Sequence, residues 1–203
     1  MKKYEFTGET KVIAGVTLKR IRALVSFGFV VKSEIGGFIE SEKNLSHDGN
    51  AWVTGNAKVT GNAKVTGNAK VADNAIVAGN AKVTGNAKVA DNAIVTGNAW
   101  VAGNAKVTGN AKVAGNAKVT GNAKVTGDAD CMLIGRIGSR SDFTTFFKNK
   151  DGGISVKCGC FYGTIEEFRE KVEETHGTDT KHAKVYQAAA NLAEMQILEQ
   201  ENK

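Results

Sequence analysis

Residues 68–103 read NAKVADNAIVAGNAKVTG followed by NAKVADNAIVTGNAWVAG, two blocks of eighteen residues that differ at three positions. Each block holds three hexads of the form N-A-x-V-[TA]-[GD], and thirteen valines recur at this six-residue period from Val53 to Val125. Self-similarity at a fixed period is typical of repeat proteins, in which each unit buries its apolar side against its neighbours. The sequence therefore predicts a stacked array with eighteen residues, or three hexads, in each coil.

Each hexad has the pattern of a short strand followed by a corner. The alanine and valine lie two residues apart, so an extended backbone points both to one side and the intervening lysine to the other. Glycine and asparagine then follow, and these residues adopt positive φ most readily. We expect a mainly β fold, a triangular parallel β-solenoid whose coils stack about 4.8 Å apart.

The same register continues beyond both ends of the consensus. Towards the C-terminus Cys131, Ile137 and Phe143 keep the six-residue spacing, which extends the predicted solenoid to Phe143. Towards the N-terminus Ile39 and Leu45 are six apart, and a two-residue slip separates them from the array. We therefore expect an irregular first coil and three domains: an N-terminal cap (1–48), the solenoid (49–143) and a C-terminal domain (144–203).

The flanking segments predict small elements of their own. In the cap, alternating residues around Gly8-Glu9 predict a hairpin, and the apolar spacing of residues 18–24 predicts a helical turn. In the C-terminal domain, residues 143–148 and 154–160 predict a second hairpin. Two helices follow: one opened by Thr164 and Glu167 and closed by Gly177, and one over residues 181–200. Val185, Ala189, Leu192 and Gln196 would form one stripe of the second helix. The C-terminal domain is thus expected to be a ββαα unit.

The hexad resembles that of hexapeptide-repeat proteins, which form left-handed parallel β-helices. The flanks, including KKYEFTGETK, GGFIESEKNLS and KCGCFYGT, are similar to hexapeptide-repeat proteins encoded by bacterial phages and prophages. The left hand is implied by this resemblance alone, since the general crossover rule favours the right hand. The resemblance also implies a homotrimer, a form common among such proteins, and a bacterial host cell. The cytoplasm of that cell is expected because no apolar signal region follows the N-terminal residues.

Charge is distributed unevenly along a chain whose net charge is +6. Residues 50–127 hold nine lysines and two aspartates, a net +7, whereas residues 161–203 carry a net −4. Eighteen-residue spacing places Lys70, Lys88, Lys106 and Lys124 in one column. This column is either a solvated face that discourages wrong strand pairing or a candidate anion-binding ridge. Nucleic acid is not expected, because aromatic residues do not alternate with the lysines.

Three residues depart from the outward lysine pattern in the middle of the array. Ile76 and Ile94 replace lysine in one column, and Trp100 follows one hexad later. Large apolar side chains that are exposed together usually mark an interface. We expect Ile76, Ile94 and Trp100 to form the contact of a homo-oligomer, with a trimer favoured.

The number and spacing of histidines, cysteines and aspartates indicate whether the chain could hold a catalytic or metal site. Many left-handed β-helix proteins are acyltransferases with a catalytic histidine and an extruded loop, but residues 50–130 contain no histidine and no insertion. Cys158-Gly-Cys160 has poor spacing for zinc, and stacked Asp73 and Asp91 are too few for a calcium site. We expect all three cysteines to be reduced and packed in the core, with no catalytic residue, metal or cofactor.

The chain also lacks the features of a membrane protein. Its N-terminus leads into no apolar signal region, and residues 24–31 are too short to span a bilayer. The sequence thus favours a non-catalytic phage-type scaffold or binding module that acts through protein–protein contacts. Two alternatives stay open: a protein that sequesters an anionic ligand or a host-defence component, and a hexapeptide acyltransferase.

Overall fold

The computed structural model describes residues 1–199 and begins with three strands, β1 (Tyr4–Ile13), β2 (Val16–Ala23) and β3 (Ile35–Ile39). Strand β2 pairs antiparallel with both β1 and β3. A short 3-10 helix at Glu42–Asn44 then leads into the repeats. The N-terminal segment therefore supplies a small antiparallel sheet in front of the array.

Each hexad of the array forms one strand of two residues. Within residues 1–199 the thirteen strands are β4 (Trp52–Val53), β5 (Lys58–Val59), β6 (Lys64–Val65), β7 (Lys70–Val71), β8 (Ile76–Val77), β9 (Lys82–Val83), β10 (Lys88–Val89), β11 (Ile94–Val95), β12 (Trp100–Val101), β13 (Lys106–Val107), β14 (Lys112–Val113), β15 (Lys118–Val119) and β16 (Lys124–Val125).

These strands pair in parallel with partners eighteen residues away, and they form three sheets. The sheets contain β4-β7-β10-β13-β16, β6-β9-β12-β15 and β5-β8-β11-β14, and β3 joins the last of these to the N-terminal strands. Val89, for example, pairs with Val71 and Val107. The chain is thus a parallel β-solenoid of about five turns, and the predicted period of eighteen is confirmed.

Alanine and valine fill the interior because they alone point inward. The array's valines and the alanine two residues before each of them are at most 2% exposed, whereas Lys70, Lys88, Lys106 and Lys124 are exposed. Backbone groups pair between coils, as Lys88 N donates to Ala105 O at 2.9 Å.

Two residue types have different roles at each corner of the solenoid. Glycine, or Asp73 and Asp91 in two coils, adopts the positive φ, whereas the asparagine that follows does not. Asparagine instead donates from its backbone and side-chain amides to the next coil, as Asn86 does to Gly103 O (2.8 Å) and Asn104 Oδ1 (3.0 Å). The expectation that asparagine supplies positive φ is therefore wrong. Asparagine instead links successive coils through hydrogen bonds of its backbone and side-chain amides.

The N-terminal segment covers the first coil with the expected two-residue slip. Ile39 pairs with Val59 and Leu45 with Val65, an offset of twenty residues rather than eighteen. The Asn44 amide donates to Gly61 O and Ala63 O, both at 2.9 Å. These bonds give the exposed edge of the solenoid partners that an ordinary coil would otherwise have supplied.

Two predictions for this segment are wrong. The hairpin turns at Ala14-Gly15, and Gly8 lies instead in a register shift within the single long strand β1. Residues 18–23 form strand β2 rather than a helical turn, and Leu18 and Ile21 are both buried. A second register shift, between Arg20 and Arg22, lets residues of odd spacing share one face.

The parallel ladder ends at β16, earlier than the six-residue register predicts. Residues after Val125 form an antiparallel sheet from β17 (Cys131–Ile137), β18 (Asp142–Lys148), β19 (Ile154–Cys158) and β20 (Phe161–Thr164). Strand β18 lies on the last coils, where Thr145 Oγ1 accepts from Lys118 N at 3.0 Å and Phe147 is fully buried in the solenoid core. The predicted continuation through Cys131, Ile137 and Phe143 is therefore replaced by a cap.

Two helices complete the C-terminal region: α1 (Ile165–His176) and α2 (Lys181–Ile197). The predicted capping box is confirmed, since Thr164 Oγ1 accepts from Glu167 N and Thr164 N donates to Glu167 Oε2. Gly177 ends α1 with φ of 73°. The end predicted for the second helix, residue 200, lies outside the described residues. The predicted hairpin is present, and two further strands extend the expected ββαα unit to four strands and two helices.

The second helix buries a different stripe from the one predicted. Its buried residues are Ala183, Tyr186, Ala189, Ala190, Ala193 and Ile197. Leu192 is 52% exposed. Small alanines and one tyrosine face the sheet because α2 packs close to both α1 and β17.

Replacing Val89 with aspartate tests the inward register of the array. Loss of the buried valine should cost about 1.5 to 3 kcal/mol, and an unpaired carboxylate in the dry interior adds a further penalty. We expect Val89→Asp to be insoluble or unfolded by circular dichroism. Lys88→Asp, which changes the neighbouring outward residue, should fold normally. A folded Val89→Asp protein with an unchanged melting temperature would show that the register is wrong.

Candidate functional site

The predicted lysine column is present on one sheet of the solenoid. Lys70, Lys88, Lys106 and Lys124 occupy adjacent strands of β7-β10-β13-β16, at the same position in each strand. Among residues 1–199, none of these four ammonium groups has a carboxylate within ion-pair distance. By contrast, Lys112 on another sheet pairs with Asp128 at 3.2 Å. The four-lysine column, which we call the lysine face, is therefore a row of uncompensated positive charge.

A ladder of side-chain amides runs beside the lysine face. In this ladder each asparagine donates its side-chain amide to the asparagine eighteen residues later, at 3.0–3.3 Å. The donors are Asn50, Asn68, Asn86 and Asn104, and Asn122 accepts the last bond. Residues two apart on an extended segment point to the same side. Lysine ammonium groups and asparagine amides therefore alternate along one surface, a pattern that the sequence analysis missed although the eighteen-residue spacing of asparagine encodes it.

Both ends of this surface are bounded by the caps. At the N-terminal end, a cavity of about 460 Å³ lies between Phe29, Trp52 and Lys70. At the C-terminal end, a cavity of about 500 Å³ is lined by Lys106, Lys124 and Lys150. Lys150 comes from the β18–β19 turn and is paired with Asp151 at 2.9 Å, so the C-terminal cap adds no uncompensated charge to the row. The lysine face is consequently an elongated basic surface with defined ends.

Like charges one coil apart repel each other, so the lysine face lowers the stability of the protein by a measurable amount. Two unit charges about 4 Å apart in water repel by about 1 kcal/mol, and long side chains reduce this by splaying. Within residues 1–199 no carboxylate offsets this repulsion, because the four lysines are exposed and lack ion-pair partners. The repulsion would fall on binding an anionic partner or on raising the salt concentration.

The three predicted interface residues do not all share one sheet. Ile76 and Ile94 pair directly on adjacent strands, and both are half-buried. Trp100 lies on the next sheet between Lys82 and Lys118, is 45% exposed, and donates from Nε1 to Thr84 Oγ1 at 3.0 Å. The structure therefore provides an isoleucine pair and a separately fixed indole on two faces.

The other candidate groups take up positions within the caps. His47 stacks on Tyr4 with ring centroids 4.3 Å apart, and its Nδ1 accepts from Lys3 N. His176 stacks on Tyr186 and also lies near His182. Asp73 and Asp91 each accept a hydrogen bond from the backbone of the next coil, at Asp91 N and Gly109 N. The aspartates thus replace glycine at the corner and satisfy a neighbouring amide.

The three cysteines are free, and they differ in exposure. Cys131 and Cys158 are half-buried, and burial raises the pKa of Cys131 to about 12. Cys160 is exposed in the β19–β20 turn, so the expectation that all three pack in the core is wrong for this residue. Cys160 follows Gly159, whose φ of 55° reverses the chain and ends the alternation that would have pointed Cys160 inward.

No protein-family model matches the chain, and no curated protein matches it significantly. No helix within residues 1–199 is long and apolar enough to cross a membrane. In the same described range, no group of three His, Cys, Asp or Glu side chains is placed to hold a metal ion.

Neutralising the lysine face should stabilise the protein slightly. The triple variant Lys70→Gln, Lys88→Gln, Lys106→Gln removes three contacts between neighbouring lysines, so we expect a gain of under about 1 kcal/mol per contact at low salt. The gain should shrink as salt rises. Thermal unfolding at several salt concentrations measures both effects. The triple variant Lys58→Gln, Lys64→Gln, Lys118→Gln has the same net charge but removes one such contact, and equal stabilisation of both triples would contradict the repulsion argument.

Proposed function

We propose that this protein is a non-catalytic scaffold or binding module whose lysine face binds an extended acidic segment of a partner protein. The observation that carries the proposal is the row of Lys70, Lys88, Lys106 and Lys124 without carboxylate partners, flanked by a continuous amide ladder. A solenoid holds the backbone of these residues at fixed spacing, so binding has to order only the lysine side chains and the partner.

The shape of the surface favours an extended ligand over a compact one. Parallel strands stack about 4.8 Å apart, so the lysines recur at a shorter interval than the side chains on one side of an extended peptide, which lie about 6.8 Å apart. Flexible lysine side chains can span the difference. Asparagine amides can donate to or accept from the peptide backbone between the charges. An acidic peptide laid along the solenoid would therefore meet charge and hydrogen-bond partners together.

The finer identity of the fold forms part of the same proposal. The hexad and flanks resemble phage-type hexapeptide-repeat proteins, and on that basis we propose a left-handed triangular solenoid that acts in the cytoplasm of a bacterial host cell. We also propose that it is a homotrimer in which Ile76, Ile94 and Trp100 lie at or near the contacts. What supports this is a pair of stacked isoleucines on an otherwise basic array.

A short poly-glutamate peptide provides the direct test of the lysine face. We expect the wild-type protein to bind it in a salt-sensitive way, and the Lys70, Lys88, Lys106 triple glutamine variant to lose at least tenfold in affinity. The Lys58, Lys64, Lys118 triple should lose less, because it changes net charge without touching the face. Fluorescence anisotropy with a labelled peptide measures these affinities.

Two outcomes of that experiment would reject the proposal. One is equal loss in both triples, which would mean that net charge rather than the lysine face determines binding. The other is tighter binding of a single-stranded DNA oligonucleotide than of the peptide, which would identify nucleic acid as the ligand of the lysine face. A poly-glutamine peptide of the same length serves as the neutral control and should not bind.

The double variant Ile76→Lys, Ile94→Lys tests the trimer. Lysine at these positions restores the repeat consensus, so the fold should be unaffected, and like charges at a contact would separate the subunits. Light scattering should give a trimeric mass for the wild type and a monomeric mass for the variant. A monomeric wild type, or a variant that stays assembled, contradicts the assignment. Lys58→Gln, on the same sheet, is the control and should leave the mass unchanged.

A further inference from the structure

A cavity of about 300 Å³ lies in the C-terminal region, away from the lysine face. It opens where the β17–β18 turn, the β19–β20 turn and the second half of α1 meet. Tyr186 of α2 contributes to its wall. The cavity depends on no residue of the solenoid repeats, so its role is independent of the function proposed above.

Aromatic rings form much of the cavity wall. Phe168 packs edge-on against Tyr186 with ring centroids 5.6 Å apart, and Phe161 packs against Phe168 at the same distance. His176 stacks nearly parallel on Tyr186, with an interplanar angle of 25°. Offset and edge-on packing of this kind fixes ring positions and offers flat faces to a ring that enters beside them.

One cation at the cavity has no partner of its own. Arg140 is exposed at the cavity, and among residues 1–199 its guanidinium makes no hydrogen bond or ion pair. The other lysine or arginine in the lining, Lys171, is paired with Glu174 at 2.7 Å. The segment 161–203 that supplies most of the wall has a net charge of −4. These acidic surroundings, with Asp142 in the same lining, oppose the binding of an anion, so the unpaired guanidinium of Arg140 must supply the attraction.

The phenol of Tyr186 supplies a neutral donor in the same wall. Burial first, and then the neighbouring Cys158 thiol, raise the pKa of Tyr186 to about 12, so its hydroxyl keeps its proton at neutral pH. The hydroxyl oxygen is held tightly, since a Cβ at Gly138 would overlap it. Cys158 Sγ is 4.0 Å from this oxygen and accepts from Thr144 Oγ1 at 3.2 Å. The phenol is therefore fixed in place with its proton available.

We propose that this cavity binds a small organic anion in which a flat ring carries one acidic group. The ring would lie against the aromatic wall, and a carboxylate or phosphate would accept hydrogen bonds from Arg140 and Tyr186. A volume of about 300 Å³ is at the lower end of the range of ligand pockets. A single ring with its acidic group fits that volume, whereas a dinucleotide exceeds it.

Isothermal titration of the full-length protein with two anionic probes tests the proposal. Benzoate represents the ring carboxylates and phenyl phosphate the ring phosphates, with benzamide and phenol as uncharged counterparts. We expect at least one anion to bind, its uncharged counterpart to bind at least tenfold more weakly, and acetate or inorganic phosphate alone to bind more weakly as well. Which anion binds distinguishes a carboxylate ligand from a phosphate ligand.

Matched variants locate the binding within this cavity. Arg140→Gln should weaken the anion at least tenfold, whereas Lys184→Gln, which removes one exposed charge from α2 outside the cavity, should not. Thr175 is exposed at the cavity, so Thr175→Trp should block it without unfolding the protein. Melting temperatures of all three variants confirm that each is folded before its affinity is compared.

Three results would overturn the proposal. The first is that neither anion binds to the wild type. The second is that an uncharged counterpart binds as tightly as its anion, since the guanidinium would then have no role. The third is that Arg140→Gln and Lys184→Gln behave alike, or that Thr175→Trp binds normally, since the anion would then occupy another part of the surface.

Discussion

The hydrogen bonds between successive coils determine most of what this molecule presents. Each strand offers its backbone groups to a strand eighteen residues away, so every residue stacks on its equivalent in the next coil. Valine on valine excludes water, and asparagine on asparagine forms an amide ladder. The same register places lysine on lysine, which costs energy. The fold thus produces a stable interior and a repulsive surface by one rule.

Pairing between coils leaves an unpaired strand edge at each end of the array, and the two caps cover these edges. A final coil would leave a row of backbone donors and acceptors free to pair with another chain. At one end the Asn44 amide bonds to the carbonyls of Gly61 and Ala63, and at the other Thr145 accepts from Lys118 N. Side chains outside the repeat therefore take the place of a missing coil, which is why both caps had to depart from the hexad sequence.

The interior of the array could be predicted because its side-chain chemistry repeats. The C-terminal boundary of the solenoid could not, because the six-residue period of the hexads is compatible with the two-residue period of any strand. Six is a multiple of two, so residues six apart share one face in a solenoid and also in a regular antiparallel strand. In β17 a register shift between Ile134 and Ile137 breaks this rule, and Cys131 packs against the solenoid core whereas Ile137 packs against the C-terminal core. Pairing direction alone separates the two cases, and that depends on β18 folding back on β17. The lysine column followed from spacing. The C-terminal cavity did not, because Arg140, Phe168 and Tyr186 approach one another only through tertiary packing.

The two tryptophans that replace lysine in the array differ in exposure because they lie at different positions along the stack. Trp52 and Trp100 occupy the same place in their hexads, yet Trp52 is 3% exposed under the N-terminal cap and Trp100 is 45% exposed in mid-array. The repeats have an interior filled by alanine and valine, so they offer only an outer surface. The cavities beside the lysine face form where a residue of a cap, such as Phe29 or Lys150, lies against the repeats. An extended ligand therefore suits the solenoid, and a small one suits the C-terminal cap.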